Sequence, residues 1–157
     1  MTTVEEKVNE LIRLMLGTTE EERNSARAKL AKMMDKHSVK DAEGIIHDML
    51  LDLGSPNNLT GYDYVVQAII LAANDWKYIN NITFGLYPEL AMKFETTVSK
   101  VERSIRYLIE VTWSRGDLDV LSKYFGNTVS CEKGKPTNGE FIARLANVVK
   151  QRLREAA

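Results

Sequence analysis

A chain of 157 residues with 44% hydrophobic and 27% charged side chains has the size and make-up of one globular domain with a real core and room for a small appendage. No apolar run approaches the roughly 18 residues of a membrane span, and the start MTTVEEKV is acidic where a secretory leader would be basic, so the expected place is the cytoplasm, with no membrane partner. One cysteine, Cys131, and two histidines, His37 and His47, exclude an internal disulfide and form no metal-ligand cluster of recognisable spacing.

The formal net charge of −1 is unevenly held. Residues 1–97 carry ten Lys and Arg against fifteen Asp and Glu, whereas residues 98–157 carry eleven against seven. That asymmetry suits a protein that offers one face to a polyanion, although solvated surface charge produces similar imbalances.

Along the chain, Val4, Val8, Leu11, Ile12 and Met15 recur at three- and four-residue spacing and predict an amphipathic helix stopped by Gly17. Thr18 or Thr19 then caps a second helix to about Lys36, with Glu20, Glu21 and Glu22 where the helix dipole favours negative charge. Its stripe of Ala26, Leu30, Met33 and Met34 is narrow and needs a partner. Residues 1–40 are therefore expected to form a helical hairpin, either a cover over the next domain or an element for dimerisation, partner contact or sensing.

Asp41 is the expected cap of a further helix carrying Ile45, Ile46, Met49, Leu50 and Leu53, with His47 beside the stripe and Gly54 at the end. Tyr62 to Trp76 contains VVQAIILAA, apolar nearly all round, and is the expected centre of the core. A linking segment with a short helical turn near Tyr78 to Ile82 leads to a helix with Pro88 in its first turn and Leu90, Ala91 and Phe94 facing inward. Glu95-Thr96-Thr97 makes a turn, and Thr97 or Ser99 caps the next helix.

That helix, over residues 98–114, has two faces. On a wheel of about 100° per residue, Val101, Ile105, Leu108 and Thr112 share a packing arc, while Ser99, Glu102, Arg103, Arg106 and Glu110 share a polar one. Two short helices, a tight turn and an arginine-bearing second helix are the parts of a helix-turn-helix DNA reader, whose second helix enters the major groove. Asp117 is expected to cap a helix to Phe125 with Leu118, Leu121 and Tyr124 inward. Residues 126–137 read as a loop whose one strand-like stretch is Thr128 to Ser130. Thr137 or Asn138 then caps a last helix packed through Phe141, Ile142, Leu145, Val148, Val149 and Leu153. The expected fold class is all-α: a bundle of about six helices containing a helix-turn-helix over 41–157, preceded by the hairpin.

The stretches GYDYVVQAI, LYPELAMKF, TTVSKVERSIRYLIEVTWSRGDLDVLSKYFG and GKPTNGEFIARLA, in that order, closely resemble the DNA-binding effector-domain family of the sporulation master response regulator, stage zero sporulation protein A. The resemblance runs from about Asp41 to Arg154. It implies a compact helical bundle that binds a short DNA box, often as tandem dimers, activating some promoters and repressing others. It places base and phosphate contacts on Ser99, Lys100, Glu102, Arg103 and Arg106, with Tyr107 beside them. The family usually has arginine at position 100 and histidine at position 107.

The chemistry agrees with that transfer. Arginine can donate two hydrogen bonds to guanine and glutamate can accept from cytosine, while Ser99 and Lys100 at the helix start suit phosphate. The resemblance further implies that the GKPTN loop grips the DNA backbone, with Lys133 and Lys135 as contacts, and that Ser122 and Phe125, on the helix from Asp117, touch an RNA polymerase sigma factor. Val120 and Lys123 depart from the small polar residues usual in that region. The family's receiver domain of alternating strands and helices has no counterpart in residues 1–40, so the expectation is a stand-alone paralogue whose hairpin replaces the receiver's contacts.

Two readings from different classes remain open. The first is a transcriptional regulator that binds double-stranded DNA, as a homodimer, through the helix 98–114. The second is a non-enzymatic interaction protein that modulates the full-length sporulation regulator or polymerase, through residues 1–36 or 117–125, without reading DNA. No enzyme and no cofactor are expected: no carboxylate pair or nucleophile with its base stands out, Cys131 reads as an inert loop thiol, and GKPT at 134–137 lacks the upstream glycine of a nucleotide loop.

Overall fold

The computed structural model describes residues 3–17, 19–126 and 134–156. Cys131, Lys133 and the strand-like Thr128 to Ser130 lie outside the described residues. Within them every regular element is helical: α1 (Val4–Gly17), α2 (Glu20–Leu53), α3 (Thr60–Asn74), α4 (Lys77–Asn80), a π-helical turn (Ile82–Leu86), α5 (Tyr87–Lys93), α6 (Val98–Arg115), α7 (Leu118–Phe125) and α8 (Asn138–Ala156). None is long and apolar enough to cross a membrane.

The chain divides into two units, Met1–Asp41 and Ala42–Ala157. In the first, both helix starts are closed by reciprocal capping boxes. Glu6 N–H donates to Thr3 Oγ1 and Thr3 N–H to Glu6 Oε2, and Thr19 and Glu22 repeat the pattern. Of the apolar stripe of α1, Val4 and Ile12 are exposed while Val8 and Leu11 are half-buried, and Leu16, off the stripe, is 84% exposed. Among the described residues of this unit only Ala26 is buried.

The predicted break between Lys36 and Asp41 does not exist. Helix α2 is continuous from Glu20 to Leu53, because residues 36–41 include no proline or glycine to interrupt the ladder. Asp41 is an interior helical residue rather than a cap.

In the second unit α3 is the central element. Val65, Ala68, Ile69 and Ala72 have no exposure, and α3 packs against both α6 and α8. Its approach to α6 depends on Gly61: a Cβ there would lie 2.2 Å from the Ser104 carbonyl oxygen. A second cluster joins α6, α7 and α8, with the rings of Phe125 and Phe141 stacked at 5.3 Å and Trp113 edge-on to both. The buried polar pair is satisfied as well. The Thr112 hydroxyl donates to Leu108 O at 2.7 Å, so the Ser55 hydroxyl, 2.9 Å away, donates to Thr112. His47 lies at the surface, stacked on Tyr62 with its Nδ1 2.7 Å from the phenol oxygen.

Candidate nucleic-acid interface

Helix α5 ends in a turn that carries the chain into α6. Thr96 N–H donates to Ala91 O at 2.9 Å and Glu95 N–H reaches Met92 O at 3.4 Å, the paired closure in which the residue past the helix end takes a left-handed conformation. Here that residue is Glu95, at φ 52°, where glycine would sit without strain. Glu95→Gly is therefore expected to raise the unfolding free energy by about 0.5 to 1 kcal/mol, read as a higher midpoint in urea with an unchanged slope. Thr97 begins α6, its side-chain oxygen accepting from Lys100 N–H at 3.2 Å.

The two faces of α6 are those the spacing predicts. Val101, Ile105, Leu108 and Thr112 are fully buried, together with Ile109. Ser99, Lys100, Arg103, Arg106, Tyr107 and Glu110 are exposed and Glu102 is half-buried. Arg106 pairs with Glu102 at 3.3 Å, one turn back along the helix. Arg103 has no ion-pair or hydrogen-bond partner among the described residues, leaving all its guanidinium donors to solvent or a ligand.

The GKPTN segment closes one side of this face. Pro136 is buried, and Thr137 caps α8 by accepting from Glu140 N–H at 3.2 Å. Lys135 Nζ pairs with Glu110 at 3.3 Å, 44% exposed. Between α6, the π-helical turn and the start of α8 lies an open groove of about 660 Å³, with Ile82, Tyr87, Ile109 and Pro136 in its walls and Arg106 and Lys135 on its lining. Tyr87 at its side is 5% exposed, and burial pushes its phenol pKa up, opposed by a hydrogen bond from Asn138. Neither the Lys135–Glu110 pair nor the Asn138 contact follows from local pattern, since the partners lie far apart in sequence.

Helix α7 is capped as expected, Asp117 accepting from Asp119 N–H at 2.8 Å, but its faces differ from the prediction. Leu118 is 78% exposed rather than inward. Phe125, expected at the polymerase-facing surface, is 2% exposed and stacked on Phe141. Ser122 alone of that pair lies at the surface.

Residues 46–149 match the family model described as sporulation initiation factor Spo0A C terminal.

Proposed function

This chain belongs to the sporulation initiation factor Spo0A C-terminal family, a family of DNA-binding effector domains, and we propose on that basis that it regulates transcription in the cytoplasm by reading a short duplex box with α6. The observation that carries this reading is the exposed Arg103, without a partner among the described residues, at the centre of a helix face anchored from behind by five buried side chains. Arg103 is the guanine-reading residue, and Glu102 with Arg106 form a second reading pair whose ion bond opens when each finds a base edge. Ser99, Lys100 and Lys135 hold phosphates, and Tyr107 reaches the groove wall. Two copies bind one box, pairing through the apolar residues that α1 leaves exposed. Ser122 and its exposed neighbours on α7 meet the polymerase.

Arg103→Ala is expected to cost about 1 to 3 kcal/mol on the preferred box and much less on random duplex, measured by titration of both at one salt concentration. Equal losses on the two would remove base reading from that residue.

A further inference from the structure

Asn138 ends the GKPTN stretch, whose expected DNA contacts are Lys133 and Lys135, and its own side chain holds the reading helix. Both Nδ2 hydrogens are used, one on the main-chain oxygen of Glu102 at 3.1 Å and one on the Tyr87 hydroxyl at 3.0 Å. The orientation of the amide is forced, because its own oxygen could not bond a carbonyl oxygen. Tyr87 opens α5 and Glu102 directly precedes Arg103 on α6. A single carboxamide at the start of α8 therefore bridges both helices of the helix-turn-helix.

We propose that Asn138 is a positioning residue that fixes the rotation and depth of α6, so that Arg103 meets base edges at hydrogen-bonding geometry. The inference rests on the reading of α6 as the DNA-contacting helix. Its physical basis is the difference in range between the two kinds of contact. A two-bond arginine–guanine contact fails once the donors shift by a fraction of an ångström or tilt away, whereas attraction to phosphate decays slowly with distance. Loosening the clamp costs discrimination before it costs affinity.

Two substitutions separate positioning from simple support of the fold. Asn138→Asp keeps size and shape but removes the donor, and the negative charge stands at the first residue of α8, where the helix dipole favours it. Asn138→Ala removes the donor without adding charge. The probes are a box selected from a random duplex pool and a random duplex of equal length, with thermal midpoints measured in parallel. The ratio of the two affinities is expected to fall about ten-fold in both variants, the scale of one base contact, with random-duplex binding of Asn138→Ala within about two-fold of wild type. The midpoint of Asn138→Ala should fall only by what one or two half-exposed hydrogen bonds are worth, and that of Asn138→Asp further, because its carboxylate faces the Glu102 carbonyl oxygen. Tyr87→Phe, which spares the Glu102 bond, should lose less. If the wild type discriminates and both Asn138 variants keep its full ratio, the positioning role is wrong. A wild type that does not discriminate overturns the reading of α6, and this role with it.

Discussion

Gly61→Ala is expected to lower the unfolding free energy of the second unit by about 3 kcal/mol, at the upper end of what overpacking costs. The sign is what makes this informative. Gly61 lies in the first turn of α3, where alanine is favoured over glycine by up to roughly 1 kcal/mol, so local propensity alone calls for a more stable protein. The surroundings reverse it: an added Cβ would sit 2.2 Å from Ser104 O and 2.7 Å from Ser104 C. Both are backbone atoms in the middle of α6, and no rotamer change relieves them. The strain is released only if α3 and α6 move apart, which also shifts the face that carries Arg103. Urea unfolding is the check, and a variant at or above wild-type stability would show that the two backbones do not meet at this point.

Phe141→Ala is expected to cost about 3 to 5 kcal/mol, the range for truncating a large buried aromatic. Phe141 has no exposure, stacks on Phe125 at 5.3 Å and lies edge-on to Trp113 at 6.2 Å. Truncation opens a void where α6, α7 and α8 meet, and Phe125 and Trp113 lose a ring neighbour at once. The fall in stability should therefore come with a changed Trp113 emission in the folded state. Phe141→Leu, which refills much of the volume, should lose clearly less. A loss below about 1 kcal/mol for the alanine variant would mean that the cluster is not a packed core.

Much of this architecture is legible in the residues because each feature is local. The spacing of Val101, Ile105, Leu108 and Thr112 defines the buried face of α6, and all four are fully buried. Thr97, Asp117 and Thr137 each stand before a helical run with a side-chain oxygen free to accept, and each does. The near-continuous apolar run from Val65 marks the central helix. Where spacing and structure differ, the local signal is ambiguous or missing. Asp41 has the chemistry of a cap, but nothing before it stops the helix. Leu118 belongs by spacing with Leu121, and spacing cannot tell whether a neighbour covers the first turn. Resemblance alone puts Phe125 at the surface, while its ring is the kind that packs. The Asn138 bridge and the Lys135–Glu110 pair join positions 36 and 25 residues apart, so no window of sequence contains them.

The central claim is that an exposed arginine face on α6 reads base edges. It is tested most directly by equilibrium selection of the wild-type protein on a pool of random duplexes, at an ionic strength where phosphate attraction alone holds little. The account predicts that successive rounds converge on one short box with guanine at a fixed position, and that Arg103→Ala loses the preference for that guanine while the positions read by Glu102 and Arg106 still sort. A wild-type pool that remains random after several rounds, or one that Arg103→Ala sorts equally well, would contradict it.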